Sequence, residues 1–275
     1  MTESISLANQ DFKTVESFGA EWEKFCNFSR EEIEHSGQLY FDLIDETMLN
    51  KNTVALDVGC GSGRWDKYIA HRVKFIEAID PSSAVFVAER FFQEEGIKNI
   101  RVTRAGVEQI PFPDNSFDFV FSLGVLHHVP RTEDGIRRCV EKLKPGGWFL
   151  VYLYYNLDNR SYVHGFLLKL VTFFRKGISN LPKPIKEAVC ELIAATIYWP
   201  LASLSRLLST DVIPLSAYRN ASFKVMRNDA LDRFGTPLEQ RFSRIQIQAM
   251  LERAGLSNIR FSEKVPYWHA VAQKV

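Results

Sequence analysis

A chain of 275 residues is long for one domain and short for two, so one domain with a large insertion and a pair of domains are equally compatible with it. Apolar residues make up 46% of the chain, which is enough for a core, and 34 Lys and Arg against 33 Asp and Glu leave a net charge of +1. This balance argues against a nucleic-acid partner, which favours a basic surface. The four cysteines form no CxxC pair, which indicates reduced thiols, and the first residues show no signal peptide, so a cytoplasmic protein is expected.

Apolar runs and amphipathic stretches alternate along the first part of the chain. Five runs rich in β-branched or aromatic residues predict strands at 53–59, 73–80, 99–105, 116–124 and 148–155. Helical spacing follows the first, second and fourth of these runs. Ser82 is the expected N-cap of the second helix, and the sequence KPGG is expected to end the third.

The last part of the chain continues the same pattern. Ser243 and Gln246 have the spacing of a capping box ahead of a helix, and two further strands are predicted at 258–265 and 267–275. Seven strands alternating with helices predict an α/β fold with a mostly parallel sheet and helices on both faces. In such sheets, ligands bind at the carboxyl ends of the strands.

A glycine-rich segment, LDVGCGSGRW (56–65), connects the first strand to the first helix. The glycines of this segment let a ligand reach the backbone amides at the helix start, and they are Gly59, Gly61 and Gly63. The second strand ends at Asp80, which is placed to accept hydrogen bonds from ribose hydroxyls. The acidic Asp57 beside the loop favours a cationic or zwitterionic ligand over a pyrophosphate. For the loop alone, the alternative is a tight turn without a ligand.

Residues 53–155 resemble the core of the class I S-adenosylmethionine-dependent methyltransferases, in the group that includes the ubiquinone and menaquinone biosynthesis enzymes. The resemblance rests on the segments ALDVGCGSGRW, AIDPS, VEQIPFPDNSFDFVFSLGVLHHV and LKPGGWFLV, which occur in the family's order and spacing. It implies a Rossmann-like sheet with a helical insertion after the fifth strand. The expected parts are an N-terminal helical cap (1–52), a cofactor-binding core (53–155), a helical lid with an acceptor loop (156–240), and a C-terminal helix and strands that complete the core (241–275).

The resemblance also implies the cofactor contacts. The methyl donor would be S-adenosyl-L-methionine and the product S-adenosyl-L-homocysteine, with the glycine loop under the methionine and ribose portions. Asp57 would lie near the methionine ammonium group and Asp80 would hold the ribose. Many relatives carry an aspartate where this chain has Gly106. At this residue the chain departs from the family pattern, so the family's contact to the adenine amino group is not implied for it. The other implied contacts, to adenine and to the methionine arm, are Val107, Glu108 and Leu123.

The aromatic segment FGAEWEKF (18–25) predicts an amphipathic helix, with Phe18, Trp22 and Phe25 roughly on one face. Packing of this helix on the core is one interpretation. The segment also resembles one that caps the cofactor pocket in some of these enzymes, and Trp22 is then a candidate cofactor contact.

His127 and His128 follow the fourth strand and are the candidate general bases, because an imidazole titrates near neutral pH. The alternative is that they pack or hydrogen-bond near the cofactor. No histidine spacing typical of metal ligands occurs, so no metal is expected. The residues expected to contact the methyl acceptor are Tyr154, Tyr155, Tyr218, Arg219, Arg227, Phe234 and Arg241. Arginines favour an acceptor with a carboxylate or phosphate, but they could equally pair with nearby acidic residues and hold the loop.

Two apolar stretches, 166–174 and 188–208, stand out in the insertion. The second has the length of a membrane span, but Glu191, Pro200 and Arg206 interrupt it. Lid or interface helices are therefore expected, with peripheral membrane contact as the alternative, and a homodimer through the insertion stays open. If these stretches are lid or interface helices, the protein is expected to stay in solution when mixed with anionic liposomes.

The sequence thus predicts a methyltransferase that acts on a small molecule, with oxygen favoured as the acceptor atom and in-line displacement as the mechanism. The alternatives are an RNA or protein methyltransferase and a protein that binds the cofactor without catalysis.

Overall fold

A computed structural model gives the fold, and the structure describes residues 9–24, 29–158, 162–208, 213 and 215–275. The chain forms two compact units. The first, here the core unit, consists of Met1–Asn159 and Leu238–Val275, and the second, here the helical unit, consists of Arg160–Pro237. The helical unit is therefore inserted into the sequence of the core unit.

The core unit is built on a seven-stranded sheet with the strand order β3-β2-β1-β4-β5-β7-β6. The strands are β1 (Val54–Val58), β2 (Phe75–Asp80), β3 (Ile100–Arg104), β4 (Phe117–Leu123), β5 (Leu143–Tyr152), β6 (Leu256–Phe261) and β7 (His269–Lys274). The neighbours from β3 to β5 pair in parallel, and β7 pairs antiparallel with both β5 and β6. The predicted α/β fold with a mostly parallel sheet is confirmed.

Helices account for most of the remaining described residues. They are α1 (Phe12–Lys24), α2 (Arg30–Tyr40), α3 (Arg64–Ile69), α4 (Ala84–Glu94), α5 (Thr132–Lys142), α6 (Tyr162–Ile178), α7 (Lys183–Ile193), α8 (Trp199–Leu208), α9 (Phe223–Gly235) and α10 (Arg244–Arg253). A π-helical stretch, Ala194–Tyr198, joins α7 to α8. Helices α6 to α9 belong to the helical unit.

Both faces of the sheet are covered, because the central strands alternate between two apolar clusters. Along β4, Phe119 and Phe121 join one cluster, whereas Val120 joins the other. All three side chains are fully buried. A sheet buried on both faces explains why the central strands were recognisable as continuous apolar runs.

Two local predictions were displaced by a few residues. The sequence KPGG was expected to end the third helix and to precede the fifth strand. Instead, α5 already ends at Lys142, and the KPGG residues lie inside β5. The β4–β5 pairing shifts register in this region, and Gly146 has a φ of +77°, so the glycines form an irregularity inside the strand. Similarly, α4 is preceded by Ser83, while Ser82 Oγ donates to Asp80 Oδ1 at 2.6 Å and accepts from Ala84 N at 3.2 Å.

The predicted capping box at the start of α10 is confirmed. Ser243 Oγ accepts from the Gln246 amide at 3.2 Å, and Gln246 Oε1 accepts from the Ser243 amide at 2.9 Å. Local sequence was sufficient here because both partners lie within one turn of the helix.

Candidate active site

The glycine-rich loop leads from the end of β1 into α3 and lies directly under Trp22 of α1. Gly61 has a φ of +53°, and a Cβ atom at this residue would lie 3.0 Å from Nε1 of Trp22. A side chain would thus be strained by the backbone and crowded by the indole. The Gly61 amide donates to Asp80 Oδ2 at 3.0 Å, which ties the loop to the end of β2. Gly59 and Gly63 complete the loop, also with positive φ.

Asp80 lies at the carboxyl end of β2, as the sequence predicted. Besides the Gly61 amide, it accepts from the Ser82 amide at 2.9 Å and from Ser82 Oγ at 2.6 Å. Burial raises the pKa of Asp80, and the hydrogen bonds from Ser82 and Gly61 act in the opposite direction. A carboxylate has about four acceptor positions, so Asp80 can still accept from a ligand hydroxyl.

A pair of buried carboxyl groups lies beneath the loop. Asp57 on β1 and Asp66 on α3 are 1% and 0% exposed, and among the described residues their carboxyl oxygens have no partner besides each other and the Asp66 backbone amide. Burial is the main cause that raises the pKa of each group, and the negative charge of Asp66 raises that of Asp57 further. The pair therefore binds a proton readily, or a cation in its place.

The other predicted cofactor residues lie after β3 and β4. Val107 is buried in the short 3₁₀ helix Val107–Gln109, and Leu123 is buried at the end of β4. A Cβ atom at Gly106 would meet the carboxyl oxygens of Glu108. The Glu108 carboxyl group thus occupies the space that a side chain at 106 would need, and burial raises its pKa. The missing aspartate at 106 is replaced in space by a glutamate two residues later.

His127 and His128 lie in the 3₁₀ helix Leu126–His128 and are both buried. The His127 ring stacks on Tyr154, with 3.8 Å between centroids, and the His128 ring lies 4.8 Å from Phe18 of α1. Because Phe18 and Trp22 are four residues apart on one helix, α1 contacts both His128 and the glycine loop. Phe25 lies outside the described residues.

Backbone contacts give the two imidazoles different hydrogen-bonding roles. The Tyr154 amide donates to Nδ1 of His127 at 3.4 Å, so the neutral ring carries its hydrogen on Nε2. Nδ1 of His128 lies 2.7 Å from the Leu238 carbonyl and donates to it. Burial, the neighbouring His128 and the Arg241 charge hold the pKa of His127 well below its ordinary value. His127 is therefore a neutral hydrogen-bond donor through Nε2 in this arrangement.

Arg241 lies beside the histidines. Its Nε donates to Glu239 at 2.7 Å, its Nη1 donates to the Tyr155 carbonyl at 3.3 Å, and its guanidinium lies 5.3 Å from the Tyr154 ring centre. The structure thus brings Tyr154, Tyr155 and Arg241 together with His127, at the carboxyl side of β4 and β5.

The matches to known proteins lie in the same part of the chain. The family model described as "Methyltransferase domain" matches residues 56–151. This match contains the glycine loop, Asp80 and the two histidines, whose geometry is given above.

Residues 56–151 form a class I methyltransferase domain. S-adenosylmethionine is the methyl donor that this family implies.

Individual relatives match mainly the methyltransferase domain. The chain is 33% identical over 101 residues to an uncharacterized methyltransferase, YcgJ, of Bacillus subtilis, which is 36% of this chain and 40% of YcgJ. It is 30% identical over 103 residues to a tRNA U34 carboxymethyltransferase of Desulfotalea psychrophila, which is 37% of this chain and 32% of that protein. It is 32% identical over 130 residues to a trans-aconitate 2-methyltransferase of Mycobacterium tuberculosis, which is 46% of this chain and 47% of that protein. The chain thus matches less than half the length of each of these relatives.

The fold of the methyltransferase domain also occurs in solved structures. The crystal structure of YcgJ superposes with a TM-score of 0.53 at 19% identity, covering 83% of this chain and 70% of that one. At 19% identity, this similarity shows that the two proteins share a fold.

The residues at the glycine loop fit S-adenosylmethionine. The cofactor carries an ammonium group and a sulfonium, and the buried Asp57 carboxyl group has spare acceptor atoms beside the glycine loop. Trp22 presents an aromatic ring at the same loop, and aromatic faces attract cations. Asp80 retains acceptor capacity for the ribose hydroxyls. Among the described residues, no group of three or more His, Cys, Asp or Glu could hold a metal ion.

Four of the predicted acceptor residues belong to the helical unit, and their contacts there are structural. Tyr218 donates to Asp229, Arg219 donates to the Ser216 carbonyl at 3.2 Å, and Phe234 is buried in the apolar cluster of that unit. Arg227 lies 3.8 Å from Glu191. These residues stay predictions as acceptor contacts.

Neither Asp66 nor Gln240 was predicted from the sequence. Asp66 looked like an ordinary polar residue of the first helix, although its position one turn after the glycine loop was a usable signal. Gln240 donates from Nε2 to the Val129 carbonyl at 2.6 Å and to Thr132 Oγ1 at 3.2 Å, and its amide donates to the His127 carbonyl at 3.0 Å. No local sequence pattern predicts a hydrogen bond between residues that are more than a hundred positions apart in the chain.

Proposed function

We propose that this protein transfers a methyl group from S-adenosylmethionine to oxygen of a small anionic molecule in the cytoplasm. The observation that carries the proposal is the buried Asp57 carboxyl group, which lies under a glycine loop and lacks a cationic partner among the described residues. An unpaired buried carboxyl group is costly, and a cationic ligand at this loop offsets the cost. The trans-aconitate 2-methyltransferase among the relatives is consistent with a small acceptor.

Binding and orientation are the tasks of the residues around the loop. When bound, S-adenosylmethionine supplies an activated methyl group on sulfur. Asp57 balances the positive charge of the methionine portion, and Asp80 accepts hydrogen bonds from the ribose hydroxyls. Trp22 covers the loop and excludes water. Fixing two reactants in line can account for roughly 7–11 kcal/mol of a barrier, so alignment is the main contribution of the chain.

The acceptor side is formed by His127, Tyr154 and Arg241. Arg241 supplies a guanidinium beside the Tyr154 ring, which suits a carboxylate or phosphate on the acceptor. His127 can donate from Nε2 to an acceptor oxygen and orient it. His128, whose Nδ1 donates to the Leu238 carbonyl, carries an acceptor nitrogen at Nε2 when neutral and is the better candidate for removing a proton from a hydroxyl.

Charge also favours a small acceptor over RNA. The helical unit contains 11 Lys and Arg and 5 Asp and Glu, a net charge of +6. Because the whole chain carries +1, the core unit that holds the site carries −5. A negatively charged unit repels a phosphate backbone but admits a small anion held by one arginine.

The cofactor part of the proposal is tested by titration calorimetry with S-adenosylhomocysteine. We expect micromolar-range affinity and no binding of NAD. Replacing Asp80→Ala should weaken binding by about 1–3 kcal/mol, the scale for losing a buried hydrogen-bond partner. Asp114→Ala is the control, because Asp114 is an exposed partner of Lys142.

The proposal fails if the protein binds NAD in place of S-adenosylhomocysteine. Unchanged affinity in a folded Asp80→Ala variant would remove Asp80 from the site. The acceptor part is tested separately, by screening small carboxylates and phosphates for release of S-adenosylhomocysteine. Turnover of RNA alone would contradict the small-molecule acceptor.

A further inference from the structure

The helical unit contains an unusually apolar helix. Helices α7 and α8 run together with the π-helical stretch between them as Lys183–Leu208, here the long helix. Among the described residues, this helix is long and apolar enough to cross a membrane: it has 26 residues, and its most apolar 18-residue window has a mean hydropathy of 1.4. However, only 28% of its most apolar window is buried inside the protein. Most of that apolar segment therefore has no cover among the residues that the structure describes.

The two faces of the long helix are reversed relative to an ordinary amphipathic helix. Its buried face consists mostly of small side chains, including Cys190, Ala194 and Ala202, which pack in a cluster with Met226 and Ala230 of α9. Its exposed face carries the large apolar side chains Ile185, Leu192, Ile197, Trp199, Leu204 and Leu207. A helix of a water-soluble protein normally buries its large apolar residues and exposes polar ones.

Helix α6 of the helical unit also exposes large apolar side chains. Phe173 is 72% exposed, and Phe174 and Leu170 are exposed as well. Lys169 and Lys176 are exposed on the same helix, and Lys183 is exposed at the start of the long helix. Large aromatic and aliphatic side chains with lysines beside them are typical of a surface that enters the headgroup region of a membrane.

We propose that the helical unit docks on the surface of an anionic lipid bilayer. Its net charge of +6 complements acidic headgroups, whereas two copies of this surface would repel each other on self-association. The apolar residues insert among the acyl chains, which an RNA partner would not provide. The proposal does not depend on the proposed methyl transfer.

The long helix lies in the membrane surface and does not cross the bilayer. One side of it already packs on α9, and it carries charged residues near both ends, at Lys186, Glu187, Glu191 and Arg206. A helix exposed on one side to lipid and on the other to protein suits the interface between water and bilayer.

The test is sedimentation of the full chain with vesicles of phosphatidylcholine and phosphatidylserine, and with vesicles of phosphatidylcholine alone. We expect binding to the anionic vesicles at low salt and release at high salt, because salt screens the headgroup attraction. This is the opposite of what the sequence predicted, namely that the protein stays in solution. The exposure of the large apolar residues is the reason for the change.

Leu207→Glu tests the apolar contact, and Ile245→Glu on α10 is its matched control. Both side chains are 80% exposed on helices, but Ile245 belongs to the core unit. Leu207→Glu should lower the partition constant by about tenfold or more, the effect of losing one buried Leu, while Ile245→Glu leaves it unchanged. Phe173→Glu provides a second variant, and thermal melting verifies that each variant is folded.

Lys176→Gln and Lys183→Gln test the charge contribution, with Lys51→Gln and Lys98→Gln of the core unit as controls. Each lysine removed from the helical unit should lower binding to anionic vesicles by roughly fivefold.

Each of the following results would overturn the proposal. The protein could remain in the supernatant with both vesicle types, or bind both equally and without salt dependence. Leu207→Glu and Phe173→Glu could leave vesicle binding unchanged. A dimer that Leu207→Glu dissociates, or RNA binding that the lysine variants abolish, in the absence of vesicle binding, would assign this surface to another partner.

Discussion

Asp57 and Asp66 are two neighbouring buried acids, of which only one can be ionised at low cost. Their negative charges repel, and burial disfavours each charge separately. Asp80 adds to the negative potential that Asp57 experiences. The cofactor-free protein therefore retains a proton at this pair to a pH at which exposed carboxyl groups have lost theirs.

This pair should make the free energy of unfolding fall as the pH rises. Below the ordinary carboxyl pKa, both the folded and unfolded states are protonated and the pair has no effect. Above it, the unfolded state releases protons that the folded state retains, so stability declines up to the raised folded pKa. Asp66→Asn should remove part of this loss, with a gain of at least about 1 kcal/mol at pH 8, since one unit of pKa shift corresponds to about 1.4 kcal/mol.

The measurement is denaturant unfolding of both proteins without cofactor between pH 4 and pH 8. The difference should shrink toward pH 4, where both states are protonated. Asp114→Asn is a suitable control, because Lys142 lowers the pKa of Asp114 and its loss should not stabilise the protein. If Asp66→Asn is less stable than the wild type at every pH, the Asp66 carboxylate has a favourable partner and the shared-proton interpretation is wrong.

Residues whose role follows from their place along the chain could be predicted from the sequence. Asp80 could be predicted because it ends a strand, and Gly61 because a loop between strand and helix needs a positive φ. Asp66 and the contact of Glu108 over Gly106 could not, since both depend on the direction in which a side chain folds back. The roles of His127 and His128 also needed the structure, because backbone partners decide which ring nitrogen carries the hydrogen.

At the level of elements, the segment after residue 237 holds the 3₁₀ helix Leu126–His128, here the histidine turn, in place. The Leu238 carbonyl accepts from His128, and the Gln240 amide and side chain bind the turn and its flanking residues. The Phe242 amide donates to the Tyr154 carbonyl at 2.9 Å. One short segment thus positions both the histidines and the end of β5.

Gln240→Ala should loosen this turn without affecting the glycine loop. We expect the free energy of unfolding to fall by about 1–3 kcal/mol, because the buried partners of Gln240 lose their donor. Affinity for S-adenosylhomocysteine should stay near the wild-type value, and both can be measured on the same preparation. Gln248→Ala on the exposed side of α10 is the control, since its partner Glu252 is exposed. An equally stable Gln240→Ala variant would show that water replaces the side chain.

The elements themselves were largely predictable, and the exceptions have a local cause. Parallel strands buried on both faces appear in the sequence as apolar runs, and the capping box of α10 lies within one turn. The start of β5 was misplaced because Pro and Gly usually interrupt a strand, whereas here they form an irregularity within it.

At the scale of the whole molecule, the residues proposed to hold the cofactor all belong to the core unit. Trp22, Asp57, Gly61, Asp80 and Glu108 lie within Met1–Asn159. Replacing Arg160–Pro237 by a short Gly/Ser linker should therefore keep the affinity for S-adenosylhomocysteine within about threefold, as judged by calorimetry. The same variant should lose vesicle binding.

Circular dichroism and thermal melting would verify that the shortened protein is folded. A folded variant that no longer binds S-adenosylhomocysteine would show that the helical unit contributes to the cofactor site. The family resemblance implied an insertion between the fifth strand and the last helix, but which of its apolar residues are exposed depends on packing and could not be predicted.

The pairing of β5 with β7 also has a consequence for synthesis on the ribosome. β7 lies between β5 and β6 in the sheet, but it follows β5 by more than a hundred residues in the chain. At about 5–20 residues per second, the nascent chain carries an open strand edge for roughly ten seconds, and the apolar helices emerge during that interval. Chaperone binding or early delivery to a bilayer would protect the open edge of β5 and the apolar helices until the last strand is made.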